Sequence, residues 1–164
     1  PVPVVAAVHG HCYGGGLQIA LAADLRFTTA DAQWSVLEAK WGLVPDMSGI
    51  QALSQQVRMD VAKRLTMTGE VVSGERAVDL GLASEVHADP VAAATAFIEQ
   101  VATRSPDAVA ATKRLFGRTW SSSDRRTFAR ERIEQAKLLA TKNTTIAREA
   151  AMKRAVPAFD PRRR

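Results

Sequence analysis

The chain has 164 residues, of which 46% are apolar and 24% charged, with a net charge of +5; this is the composition of one soluble globular domain, long enough to bury a core. No apolar run reaches the roughly 18 residues of a membrane span, and the apolar start, Pro1 to Val8, lacks the basic flank and cleavage site of a signal peptide. A single cysteine, Cys12, excludes an internal disulfide and fits a reducing cytosol.

Val2 to Val8 is a continuous valine-rich run, the pattern of a strand buried on both faces. The chain opens on this run with Pro1 rather than methionine, so the expectation is a piece that begins mid-protein. Gly10 and then Gly14-Gly15-Gly16 break the run, and Leu17 to Ala23 reads as a short apolar helix. Leu25 to Thr28 reads as a second strand, which makes the opening a βαβ unit. Trp34 to Val36 is a short strand. Pro45 and Gly49 bracket a turn into one helix from Ile50 to Met67, closed by Thr68-Gly69. Ser73 caps a helix at Gly74 to Leu80 that Gly81 ends, and Ser84 to His87 is the last strand.

After Pro90 the pattern is helical throughout. An alanine-rich helix runs to Arg104, and a second, with Pro106 at its first position behind Ser105, runs to Trp120. A long amphipathic helix from Ser123 to Lys142 carries Phe128, Ile133, Ala136, Leu139 and Ala140 on one face. Asn143 caps a final helix that ends before Pro157. The predicted organisation is an α/β core over residues 1–88 and a helical extension over residues 89–164.

Charge is uneven along the chain. From Lys113 onward there are fifteen Lys/Arg against five Asp/Glu, a net of +10, against −5 for the residues before it. Aromatics are only 5% and acids are interleaved among the basic residues. That is the pattern of solvated helix faces rather than of a nucleic-acid surface. Attraction for a phosphate-rich ligand is the other reading it leaves.

Three consecutive glycines between a buried strand and a helix need a reason, because each costs conformational entropy on folding. A helix N-terminus there offers free N–H groups and the positive end of a dipole, which suit a phosphate, a carboxylate or a developing oxyanion. Alone, the triplet equally describes a flexible turn. Its surroundings narrow the reading. The run His9-Gly10-His11-Cys12-Tyr13-Gly14-Gly15-Gly16-Leu17-Gln18, with Ala23-Asp24 after it, resembles the signature of the crotonase (enoyl-CoA hydratase/isomerase) family. Ala32-Gln33-Trp34, Glu38 and Gly42-Leu43-Val44-Pro45 resemble its second active-site segment. Thr68-Gly69, Ala77, Gly81-Leu82-Ala83, Val86, Ser105-Pro106 and Lys113 come next in the family's order, so the resemblance spans the chain.

The resemblance implies a spiral of ββα turns and then a helical region used in trimer assembly, with the first turns, the other oxyanion-hole donor and much of the coenzyme A pocket lying outside this chain. It implies an acyl-CoA thioester as substrate, no metal or redox cofactor, a cytoplasmic homotrimer or hexamer, and neither nucleic acid nor membrane as partner. It assigns an oxyanion-hole N–H to Gly15, acid/base chemistry to Glu38, and substrate contact to His11, Cys12, Gly14, Gly16 and Pro45. Gln18 stands where family hydratases carry a first glutamate. An amide cannot act as a general base, so double-bond isomerisation by Glu38 is favoured over hydration. Asp46, eight residues after Glu38, matches an aspartate of the dienoyl-CoA isomerases, and a pairing of the two around the acyl group is expected; a helix cap is the other reading of Asp46. Asp24 reads as a buttress of the glycine turn, and His9, His11 and Cys12 lack a fourth ligand at zinc-like spacing. A non-catalytic relative that keeps only acyl-CoA binding or oligomerisation is the alternative class.

Overall fold

The computed structural model describes residues 1–162. They divide into two compact units, Val4–Ala96 and a second made of Pro1–Pro3 with the chain from Phe97 onward. The division falls inside a helix, Pro90–Ala102. Asp89 caps that helix by accepting from the N–H groups of Val91 and Ala92 at 3.0 and 2.9 Å.

The first unit holds two small sheets. Strand β1 (Val5–Val8) leads to β2 (His11–Tyr13), helix α1 (Gly15–Leu21), β3 (Leu25–Thr28) and β4 (Gln33–Ser35). A 3₁₀ turn, Leu37–Trp41, precedes α2 (Gly49–Gln56), α3 (Met59–Thr68), β5 (Val72–Ser73), α4 (Gly74–Leu80) and β6 (Glu85–Val86). One sheet has the order β1-β3-β6, all parallel, and the other the order β2-β4-β5. In the second sheet β2 and β4 run parallel, with Cys12 opposite Trp34 and Tyr13 opposite Ser35, while β5 is antiparallel. The core lies under these sheets and around α1. Leu17, Trp34, Leu53, Leu65 and Leu82 are at most 1% exposed. Trp34 spends its one polar group inside that core, donating from Nε1 to Thr28 Oγ1 at 3.0 Å, as a buried indole requires.

Some sequence expectations hold closely. β3 and α4 fall where predicted, and Ser73 caps α4 by accepting from Arg76 N–H. Others shift for physical reasons. β1 starts at Val5 rather than Val2. The predicted helix from Ile50 to Met67 is two helices, because Val57 and Arg58 adopt extended angles. The break lets Val57 and Val61 both pack on the core, and Gln56 Nε2 ties the end of α2 to the Leu21 carbonyl at 2.9 Å.

The second unit comprises the end of the Pro90–Ala102 helix, α5, and then α6 (Pro106–Thr119), α7 (Asp124–Leu139) and α8 (Lys142–Lys153). Ser105 accepts from Ala108 N–H at 3.4 Å and starts α6 behind Pro106, as the sequence implies. The cap of α8 is Thr141 rather than Asn143. Asn143 is instead buried at 3% exposure and bonds Asp107 Oδ2, the Asp160 carbonyl and the Asp160 N–H at 2.9, 3.0 and 2.9 Å. The predicted apolar face of α7 faces outward in this chain: Phe128, Ile133 and Leu139 are all exposed. What α7 buries is Glu134, whose carboxylate meets Arg114 of α6 at 2.6 Å. That guanidinium holds Glu134 below the ordinary glutamate value, with Lys137 adding to the effect.

Candidate active site

Parallel pairing of β2 with β4 explains why residues twenty positions apart converge. Two strands side by side in the same direction end side by side, so the segments leaving them meet at their C-terminal ends. After β2 comes the glycine turn; after β4 comes the 3₁₀ turn with Glu38. Gly14 N–H extends the ladder by one bond to Ser35 O at 3.0 Å. Gly14 then turns the chain at φ +50, ψ −119, a backbone state that favours glycine, and α1 begins. The N–H groups of Gly15 and Gly16 fall in the first turn of α1, where no carbonyl of the same helix can reach them. Neither donates a backbone hydrogen bond among the described residues.

Glu38 lies against this turn. A β-carbon built on Gly14 would stand 3.4 Å from Glu38 Oε1 and 3.8 Å from Oε2. The two carboxylate oxygens differ in their surroundings. Oε1 accepts from Gln18 Nε2 at 2.6 Å. Oε2 is closed off from solvent and accepts no hydrogen bond among the described residues. Leaving a buried carboxylate oxygen unpaired costs about 1–3 kcal/mol or more, so such an atom asks for a functional explanation.

Gln18 sits one turn into α1 and is 3% exposed. Its own Oε1 accepts from Met47 N–H at 2.8 Å and Gly49 N–H at 3.0 Å. Those two donors fix which end of the amide is oxygen, so its NH₂ must face Glu38. The loop between them is bent by Ser48, a non-glycine residue at φ +68, and this left-handed step turns the N–H groups on either side toward one acceptor. Gly49 leaves no room for a side chain: a β-carbon there would fall 2.7 Å from Gln18 Oε1 and 2.7 Å from Pro45 Cβ. Met47 closes the group, its Sδ lying 3.3 Å from where a β-carbon of Gly15 would be.

The remaining sequence candidates divide clearly. Pro45 is buried beside Gly49. Asp46 is exposed, and the hydrogen-bond partner of Glu38 is Gln18, not Asp46. Strand alternation sends Cys12 inward to the core, where burial pushes its thiol up to about 11, so only its backbone can border the site. His11 is exposed on the other face, edge-on to Tyr13, whose hydroxyl bonds Gln33. Asp24 accepts from Val4 N–H at 2.8 Å, just ahead of β1. Lys113 lies in the helical unit and donates to the Val2 carbonyl at 2.8 Å. Sequence reading missed Met47 and Gly49. The glycine four residues past Pro45 was the signal available, and it reads as a plain turn until Gln18 is seen to fill its space.

A family model described as enoyl-CoA hydratase/isomerase matches residues 1–160. The (E)-benzylidenesuccinyl-CoA hydratase of Thauera aromatica is 39% identical over 68% of this chain and 44% of its own length. The carnitinyl-CoA dehydratase of Proteus mirabilis is 33% identical over 71% of this chain and 46% of its own. The chain thus matches less than half the length of these curated relatives. Among solved structures, an enoyl-CoA hydratase from Mycobacterium tuberculosis superposes with a TM-score of 0.92 at 30% identity, covering 96% of this chain and 64% of that one. Another from Polaromonas sp. JS666 gives 0.90 at 30% identity, covering 96% and 62%.

Proposed function

The chain belongs to the enoyl-CoA hydratase/isomerase family, and from that membership we propose that the intact protein acts on an acyl-CoA thioester with Glu38 as its one acid/base group. The observation that carries this reading is Glu38 Oε2, a buried carboxylate oxygen left without a partner beside a glycine turn that opens a helix. The thioester oxygen would accept from Gly15 N–H, one of two donors such an oxygen needs as it gains charge. Polarised in this way, the thioester has an acidic α-carbon. On a 3-enoyl thioester, Oε2 would take a proton from the α-carbon, the electron pair would spread through the enolate and the β,γ double bond to the γ-carbon, and Glu38 would return the proton at that end to leave the 2-enoyl product. Atoms balance, the double bond moves, and no redox or metal chemistry is called on. With Gln18 in place of a second carboxylate, this shift is favoured over addition of water.

Hydration is the second reading, favoured because the curated relatives are named as a hydratase and a dehydratase. Gly14, Gly16, Pro45 and Met47 would border the acyl group, with Asp46 at the solvent side. A homotrimer or hexamer in the cytoplasm completes the proposal. The exposed apolar side chains of the helical unit support the first part, and a lone buried thiol suits the second. Among the described residues no helix is long and apolar enough to cross a membrane.

The test is conversion of 2-enoyl-, 3-enoyl- and 3,5-dienoyl-CoA thioesters by the intact protein, read by mass and absorbance. A double-bond shift without change of mass is expected, falling about 1000-fold in Glu38→Gln. Gain of one water selects the second reading. Binding without any conversion would make this a non-catalytic relative and overturn the proposal.

A further inference from the structure

We infer that Gln18 is a positioning residue for Glu38: it ties down one carboxylate oxygen so that the other, Oε2, is the one that moves the proton. The inference rests on the reading of Glu38 as the acid/base group.

A free glutamate carboxylate rotates, and its two oxygens exchange. Here Oε1 is held at 2.6 Å by an amide that is itself immobilised. Gln18 is 3% exposed, and its oxygen is seated between two backbone N–H groups on either side of Ser48. Neither end of the amide can swap without placing NH₂ against two donors and an oxygen against a carboxylate. Exchange of Oε1 and Oε2 is thereby blocked, and the unpaired oxygen stays where it is needed. The residue type matters. An amide at this place donates to Glu38 without competing for its proton, whereas a carboxylic acid would share that proton.

The measurement uses the intact protein and whichever 2-, 3- or 3,5-unsaturated acyl-CoA the wild type converts. Gln18→Met, similar in volume and without polar bonds, is expected to lower kcat about 100-fold, the scale of a small misplacement of a reacting group. KM should stay within about threefold, since the substrate gains or loses no contact. In a Glu38→Gln background, Gln18→Met should add less than about threefold, because a residue acting only through Glu38 has nothing left to position. Gln18→Asn, one methylene too short to span both sides, gives a second variant with the same expected readouts should the methionine variant fail to fold. Unchanged kcat, a loss confined to KM, or full additivity with Glu38→Gln would overturn the inference while leaving Glu38 as acid/base intact. An inactive wild type, or an active Glu38→Gln, overturns both readings together.

Discussion

The two units of this chain differ in what each buries most deeply. In Val4–Ala96 the fully buried side chains are mostly large and apolar, with Leu17, Trp34, Leu53, Leu65 and Leu82 at the centre. In the helical unit the buried residues are alanines or polar: Ser105, Ala110, Ala111, Thr119, Glu134 and Asn143. Five of its large apolar side chains, Phe116, Trp120, Phe128, Ile133 and Leu139, are between 48% and 66% exposed, while others such as Leu115, Leu138 and Ile146 are half-buried. Apolar burial is strong and non-directional, and close packing around it makes a rigid base for groups that must keep their places. Gln18 and Glu38 stand on that base. Hydrogen bonds and ion pairs fix register but contribute only about 1 kcal/mol each on balance, so the helical unit keeps its alignment while presenting apolar surface outward.

Truncation in each unit tests the contrast. The largest effect is expected from Leu53→Ala, about 2–5 kcal/mol, as a cavity opens in a core that cannot collapse around it. Thiol labelling of Cys12 under denaturant reads it directly, since Cys12 shares that core. A loss below about 1 kcal/mol would mean the core is far softer than its burial implies. Asn143→Ala should cost less, about 1–3 kcal/mol, by stripping Asp107 and the Asp160 backbone of their buried partner; faster amide exchange at Asp160 and around the start of α8 would report it. Acid should weaken the same unit. Glu134 is held below its ordinary value of 4.5, so its stabilising contribution is present above that pH and is lost as pH falls through the depressed folded value. Arg114→Met should reduce that acid sensitivity in a pH series of melts. Smallest of all, Phe128→Ser should stay within about 0.5 kcal/mol in the isolated chain, because the ring is already in water. A large loss in an assembled form would show that another subunit covers it.

Sequence patterns carried the elements whose signals are local. β3 is four residues of strand-forming sequence between polar breaks, and α4 has its serine cap and terminal glycine within nine positions. β2 escaped because three residues between Gly10 and Gly14 are too few for any periodicity to be seen. The helix break at Val57 carries no glycine or proline, and packing on the core decides it. Asn143 looked like a cap by residue type, but Thr141 takes that place and leaves the amide free for a buried network. In the site, Glu38 and the glycine turn were legible by motif. The amide bridge was not. Gln18 was defined in the sequence by the chemistry it lacks, and its contacts lie twenty to thirty-one positions away, across two turns and a loop.

Gly49 links three positions sterically. The space for a side chain there is already filled by Gln18 Oε1 and the Pro45 ring. A larger residue at 49 fits only if residues 18 and 45 shrink or turn away, and retreat of residue 18 releases Glu38.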